Sequence, residues 1–111
     1  MARLNYVELP VAGTATSKAF YERVFGWTLT DFGPTYAATT SGDTDIGLQG
    51  DAGEATKAPL PVIEVEDLDA ALDAVWQAGG TIVRPTFVFP GGRRFQFRDP
   101  AGNELACVKP D

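Results

Sequence analysis

Apolar and polar residues alternate over positions 4–11 at the start of the chain. Because the side chains of a β-strand point alternately to opposite sides, this two-residue period predicts a strand with one buried side. Beyond Gly13 the apolar residues follow helical spacing as far as Gly26. The change of period predicts a helix that Thr14 or Thr16 caps and that Gly26 ends.

The second half of the chain shows the same order of patterns. Val11 and Val65 each end a predicted strand, and Gly26 and Gly80 each follow a predicted helix. Both pairs are 54 positions apart, and a constant offset indicates that one supersecondary unit occurs twice. Asp67 is predicted to cap the second helix. The predicted strands cover residues 4–11, 27–30, 36–40, 45–49, 60–65, 81–89, 93–98 and 104–108.

We therefore expect an α+β fold built from two tandem βαβββ modules. Module one covers residues 1–50, a linker covers 51–58, and module two covers 59–111. A chain of 111 residues is too short for two separate cores, so we expect the modules to form a single domain. One helix covers only one side of each mixed sheet. The predicted arrangement therefore has the helices outside and the bare sheet sides around a shared concave cavity.

The alternation divides the strand residues into two sets. Residues predicted to pack against the helices are Val7, Leu9, Val11, Pro61, Ile63, Val65, Phe95, Phe97, Leu105 and Cys107. Residues predicted to face the cavity and bind a ligand are Tyr6, Glu8, Gln49, Leu60, Val62, Glu64, Arg94, Gln96, Arg98, Glu104 and Ala106. Asp45 is assigned to the cavity as well.

Charge and composition narrow the classes of partner. The formal net charge is −6 and the pI is about 4.5, so the chain would repel nucleic-acid phosphates and anionic membranes. No apolar signal segment is visible, and we expect a cytoplasmic protein. The chain has no histidine, which removes the commonest general base and metal ligand. Its one cysteine, Cys107, is predicted to be an inert thiol on the helix side of its strand.

Two phrases carry information beyond the periodicity: Phe-Tyr-Glu-Arg-Val-Phe-Gly-Trp at residues 20–27 and Asp-Pro-Ala-Gly-Asn at residues 99–103. With residues 7–11, 65–72 and 79–80, they resemble the vicinal oxygen chelate superfamily. This group contains glyoxalases, bleomycin-resistance proteins and extradiol dioxygenases. The resemblance runs through nearly the whole chain and is specific for the fold, but it does not select one activity.

The resemblance also implies where a metal would lie. Metal-using members hold a divalent ion through His, Gln or Glu on the first strand of each module and through Glu on the last strand. The matching positions here are Tyr6, Leu60 and Ala106, and none of these is a ligand of that kind. Gln49 lies near this set, but one weak oxygen donor cannot hold a metal. We expect no metal site and no cofactor.

The charged residues of the predicted cavity leave two interpretations open. The glutamates could form an unorthodox metal site or an acid–base pair, or they could neutralise the two arginines. We favour neutralisation, since an unpaired buried carboxylate costs several kcal/mol. The residues concerned are Glu8, Glu64, Glu104, Arg94 and Arg98.

Three functional hypotheses follow. We favour a small-molecule-binding protein of the glyoxalase and bleomycin-resistance type that binds a polar or aromatic compound without metal chemistry. Tyr6 could then be a stacking surface, a proton donor, or an aromatic that fills space. The first alternative is a lyase, isomerase or dioxygenase with an unorthodox carboxylate and tyrosine site. The second is an interaction module that uses Trp76 or an open strand edge. We also expect a homodimer.

Overall fold

The computed structural model describes residues 2–111, and Met1, the first residue of predicted module one, lies outside the described part. These residues form two helices and eight strands. The order of one strand, one helix and three strands occurs twice along the chain. The elements are β1 (Arg3–Pro10), α1 (Thr14–Phe25), β2 (Thr30–Asp31), β3 (Tyr36–Ala38), β4 (Asp45–Gln49), β5 (Leu60–Glu64), α2 (Leu68–Gln77), β6 (Thr81–Phe89), β7 (Gly92–Arg98) and β8 (Glu104–Pro110).

Contacts divide the chain into two compact units. The N-terminal unit is Tyr6–Leu60, and the C-terminal unit joins the residues up to Asn5 with Pro61–Asp111. In the N-terminal unit the strand order is β2, β3, β4, β1, with β1 parallel to β4 and the other pairs antiparallel. In the C-terminal unit the order is β5, β8, β7, β6, with β5 parallel to β8. Mixed strand pairing with two helices confirms the predicted α+β class.

Each unit packs its helix against one side of its own strands. In the N-terminal unit Leu29, Ala37 and Leu48 are buried, and Leu9 and Val11 pack against them. The core of the C-terminal unit confirms most of the predicted helix-facing residues. Its buried members are Leu68, Phe95, Phe97 and Cys107, and Ile63, Val65 and Leu105 pack against them. Neither helix of the described chain is long and apolar enough to cross a membrane.

Two local predictions in the N-terminal unit are wrong. Residues 27–30 do not form a strand, because the carboxylate of Glu22 accepts the backbone N–H of Leu29 at 3.0 Å and the strand begins only at Thr30. Neither Thr14 nor Thr16 caps α1. The N-cap is Gly13, whose extended backbone (φ −138°) offers no side chain to the first turn. The predicted end of α1 is confirmed, since Gly26 adopts the left-handed conformation.

The second helix has the cap that the first one lacks. Asp67 Oδ1 accepts the backbone N–H of Ala70 at 3.0 Å, as predicted. Asp67→Ala is therefore expected to lower the free energy of unfolding by about 1 kcal/mol. The matched variant is Gly13→Asp at the equivalent N-cap, where a new Cβ would meet only Thr16 at ordinary contact distance. It is expected to raise stability by a few tenths of a kcal/mol, because glycine is nearly as good a cap as aspartate. Urea unfolding monitored by circular dichroism measures both changes, and equal effects would contradict the assigned caps.

Candidate functional site

Two tyrosines and a buried glutamate form a hydrogen-bonded cluster in the N-terminal unit. Glu8, only 3% exposed, lies on β1, and its Oε1 accepts the hydroxyl proton of Tyr36 on β3 at 3.0 Å. The hydroxyl of Tyr36 lies 2.5 Å from that of Tyr6. The strand register explains why these side chains lie close together. β4 lies between β1 and β3, and its Gly47 pairs with Glu8 on β1 and with Ala38 on β3.

The proton count fixes the direction of this hydrogen-bond chain. A phenol hydroxyl has one proton to donate. Tyr36 gives its proton to Glu8, so Tyr6 must be the donor in the bond between the two hydroxyls. The oxygen of Tyr6 is then an acceptor toward any further group.

Gly47 is the residue that makes room for the two hydroxyls. A Cβ at this position would overlap the hydroxyl oxygens of both Tyr6 and Tyr36. Gly47 is itself buried in the middle of β4. A glycine inside a strand often marks the close approach of another group. Here that group is the tyrosine pair.

Burial raises the pKa of Tyr36 well above its ordinary value of 10.0, and the nearby carboxylate of Glu8 raises it further. Tyr36 is therefore neutral throughout the physiological range. The neutral hydroxyl of Tyr36 donates a hydrogen bond to Glu8 and accepts one from Tyr6, so it links the two residues without carrying charge. Tyr36 is therefore not a source of tyrosinate at physiological pH.

A second polar network lies on the C-terminal unit. Gln96, 5% exposed, donates to Glu104 Oε2 at 2.7 Å and accepts from Arg94 at 3.3 Å. The guanidinium of Arg84 lies 3.6 Å from the ring centroid of Phe87, and that of Arg94 lies 5.3 Å from the same centroid. Two cations near one ring make this side of β6 and β7 favourable for aromatic or anionic groups.

The other predicted ligand-binding residues have varied environments. Glu64 accepts a hydrogen bond from Asn5 at 3.1 Å, and the side chain of Gln49 accepts the backbone N–H of Asp51 at 3.0 Å. Arg98 is exposed and pairs in register with Glu104. The remaining three are aliphatic and buried: Leu60, Val62 and Ala106.

Asp45 has a structural role that the sequence interpretation did not foresee. Its carboxylate accepts hydrogen bonds from Thr39 and from the backbone N–H groups of Ser41 and Gly42, at 2.7 to 3.1 Å. Partial burial alone would raise the pKa of Asp45, but these hydrogen bonds outweigh it and hold the pKa below the ordinary 3.8. Asp45 therefore stabilises the turn between β3 and β4.

Sequence analysis missed two residues of the tyrosine and glutamate cluster. The sequence pattern places Tyr36 on a strand but predicts no site role for it. Its side chain lies on the same side of β3 as that of Ala38, which pairs with Gly47. Gly47 has no functional group that could draw attention. The available signal was positional, since a glycine in the middle of a predicted strand indicates a close approach.

The donor set does not suit the metal site that the family resemblance implies. Tyr6 is engaged with Tyr36, and Leu60 and Ala106 offer no donor atoms. Within residues 2–111 there is no group of three or more His, Cys, Asp or Glu side chains placed to hold a metal ion.

Comparisons with known proteins agree with this fold. CFP32 of Mycobacterium tuberculosis and of Mycobacterium bovis, both named as candidate glyoxylases, are 30% identical to the chain over 88% of its length. The chain spans about two fifths, 42%, of the length of these curated relatives.

Solved structures share the fold at lower identity. A superfamily member from Vibrio splendidus 12B01 aligns over 100% of both chains with a TM-score of 0.71 and 18% identity. Methylmalonyl-CoA epimerase from Mycobacterium tuberculosis aligns over 97% of this chain and 87% of its own, with a TM-score of 0.76 and 18% identity. At these identities the structures support the fold alone. The family model matches residues 3–107, and the chain therefore belongs to the Glyoxalase/Bleomycin resistance protein/Dioxygenase superfamily.

Proposed function

We propose that this chain is a small-molecule-binding member of the superfamily that works without the usual metal. The observation that carries the proposal is the chain of hydrogen bonds from Glu8 through Tyr36 to Tyr6. Tyr6, whose hydroxyl is hydrogen-bonded to that of Tyr36, lies at a position where the family resemblance implies a metal ligand. We propose that the ligand contacts this cluster.

The proposed ligand is a polar or aromatic compound with a hydrogen-bond donor. In the N-terminal unit we propose Tyr6 and Glu8 as residues that bind a polar ligand group. Taken by itself, the C-terminal unit would bind such a group through Arg94, Gln96 and Glu104. The other proposed binding residues are Gln49, Leu60, Val62, Glu64, Arg98 and Ala106. The guanidinium groups near Phe87 support an aromatic or anionic component in the ligand.

A thermal-shift screen of aromatic acids, nucleosides and glycopeptide antibiotics tests the proposal, because a ligand that binds the folded state raises the melting temperature. Tyr6→Phe is expected to weaken binding of a confirmed hit roughly tenfold through loss of one buried hydrogen bond. Tyr21→Phe is the matched control, since Tyr21 packs beside the core of the same unit through its ring. Equal losses in the two variants would contradict a site at Tyr6.

Metal independence is tested on the same protein. After dialysis against EDTA, elemental analysis following incubation with nickel, zinc, manganese or iron is expected to find less than stoichiometric metal, with ligand affinity unchanged. Tight binding of one metal per chain would overturn this part of the proposal.

An enzyme is the second candidate, and one observation favours it. A buried carboxylate linked through Tyr36 to Tyr6 is a connected path along which a proton can move. The chemistry would be that of a lyase, isomerase or dioxygenase with a carboxylate and tyrosine site. Glu8→Gln keeps an acceptor for Tyr36 but removes the base. Loss of turnover with binding retained would support catalysis over binding alone.

We further propose a cytoplasmic homodimer. Phe20, Val24 and Phe25 on α1 each expose more than half of their surface, as does Trp76 on α2, and these exposed apolar side chains support a subunit contact. Light scattering at micromolar concentration is expected to give twice the monomer mass of 11.8 kDa. A monomer under these conditions would contradict the dimer.

A further inference from the structure

The N-terminal unit has a pocket of about 550 Å³, a volume within the range of small-ligand sites. Its walls include three neighbouring residues: Val7 on β1, Ile46 on β4, and Thr39, which follows β3. Val7 pairs with Ile46, and the backbone N–H of Thr39 donates to the carbonyl of Ile46 at 3.0 Å. No residue of α1, which the structure describes in full, lines the pocket. We name this space the Val7 pocket.

The Val7 pocket lies on the side of the strands that packs against α1. Val7 has the same parity as Leu9 on β1, and Ile46 has the same parity as Leu48 on β4. Leu9 and Leu48 belong to the core of the N-terminal unit, whereas Val7 and Ile46 are half-buried and belong to neither core cluster of the described chain. Glu8 has the opposite parity on β1, so the tyrosine and glutamate cluster lies on the other side of these strands.

The strand pairings match each wall residue to a residue in the second copy of the motif. Corresponding residues of β1 and β5 are 54 positions apart, and β1 pairs with β4 as β5 pairs with β8. By this register Leu48 corresponds to Cys107, and Ile46 corresponds to Leu105. The two copies can therefore be compared position by position on the side that packs against the helix.

The counterpart of Thr39 in the C-terminal unit is a phenylalanine. Thr39 bonds to the backbone of Ile46, and Phe97 pairs in register with Leu105. The ring of Phe97 is 9% exposed and packs in the core, with its centroid 5.9 Å from that of Phe95. A threonine side chain is too small to fill the same space. The Val7 pocket is thus the space that an aromatic ring occupies in the other copy.

The chemistry of the walls favours an uncharged ligand. Most of the pocket surface is apolar. The hydroxyl of Thr39 donates to Asp45 at 2.7 Å, and the same carboxylate accepts two backbone N–H groups of the turn. Among residues 2–111, no cationic side chain lines the pocket. An anionic group would lose its hydration here without gaining a partner of opposite charge.

We propose that the Val7 pocket binds an uncharged small molecule through an aromatic ring that lies against Val7 and Ile46. The occupant is inferred from the C-terminal unit, where the ring of Phe97 fills the corresponding space. Apolar protein cavities bind benzene-like molecules when no side chain fills them. The site is independent of the proposed function at Tyr6 and Glu8, because it lies on the other side of the strands, and either proposal can fail alone.

Methyl NMR spectra of the unmodified chain, titrated with toluene and with benzyl alcohol, test the proposal. Saturable shifts are expected for the methyl groups of Val7 and Ile46, with nuclear Overhauser effects from the ring protons of the probe. Benzoate has the same ring with a carboxylate and is expected to bind at least about tenfold more weakly. Equal binding of benzoate would overturn the proposal. So would the absence of saturable shifts, or equal shifts at the exposed methyl groups of Leu4 and Val88.

Variants that fill the pocket locate the site. Val7→Phe and Ile46→Phe each add a ring at the pocket wall and are expected to raise the dissociation constant of benzyl alcohol at least about tenfold. Val88→Phe makes the same change at an exposed position on β6 and should leave the constant unchanged. Unchanged affinity in both pocket variants would contradict the site. Shifts at Val7 and Ile46 that depend on protein concentration without a probe would show that a second chain covers the pocket, which would also overturn the proposal.

Discussion

Gly47→Ala is expected to destabilise the chain by about 3 kcal/mol. The new Cβ would overlap both tyrosine hydroxyls, and the buried strand around position 47 leaves little room for adjustment. Overpacking of this kind typically costs about 1–3 kcal/mol. Displacing Tyr36 would also break its bond to Glu8, which adds about 1 kcal/mol.

Urea unfolding measures this loss, and two further variants identify its cause. Gly53→Ala is the control, because its Cβ would meet only the flexible side chain of Asp51, at 3.3 Å. Its effect is expected within about 0.5 kcal/mol. In a Tyr6→Phe and Tyr36→Phe background the overlap with the hydroxyls is gone, so Gly47→Ala should cost clearly less there. An undiminished cost would show that the hydroxyls are not what Gly47 accommodates.

Alkaline pH is expected to destabilise the chain through Tyr36. Its pKa is raised in the folded state, so above pH 10 the unfolded chain releases this proton while the folded chain keeps it. The stabilisation is complete below pH 10 and falls by about 1.4 kcal/mol per pH unit above it. Burial likewise raises the pKa of Cys107 from 9.0 to about 11. As the pH rises from 9 to 11, ionisation of this thiol in the unfolded chain lowers the free energy of unfolding by up to about 3 kcal/mol.

Urea unfolding at intervals from pH 8 to 12 separates the two groups. Tyr36→Phe should remove the steep part above pH 10, and Cys107→Ala should remove the part that begins near pH 9. The other tyrosines and the lysines are present in all three proteins, so differences between their profiles isolate each group. If Tyr36→Phe and the parent chain have parallel profiles above pH 10, Tyr36 ionises normally in the folded state.

The helix-facing residues could be predicted from the sequence because the buried side of a strand takes an apolar residue at every second position. Phe95 and Phe97 alternate with polar neighbours, and both are buried against α2. The cap at Asp67 was equally predictable, since capping is a local interaction between a side chain and the next turn. The failed strand at 27–30 had a cause seven residues away, in the carboxylate of Glu22.

The tyrosine and glutamate cluster was only half predictable for a similar reason. Tyr6 and Glu8 share one strand, and their common side follows from the two-residue period. Tyr36 joins them only because β4 separates β1 from β3 in this register, and no local pattern encodes the register of strands far apart in sequence. The turn role of Asp45 escaped prediction because it depends on how the chain bends between Thr39 and Asp45.

The first turn of α1 has no side-chain cap, so we expect α1 to unfold locally more often than α2. α1 begins at Thr14, its N-cap Gly13 has no side-chain acceptor, and Phe20, Val24 and Phe25 each expose more than half of their surface. α2 begins with the bond from Ala70 to Asp67 and buries Leu68 in its core. Backbone amides in the first turns of α1 should therefore exchange with deuterium earlier than those of α2. The two copies of one motif then differ in how long each helix stays closed, although the order of their elements is the same.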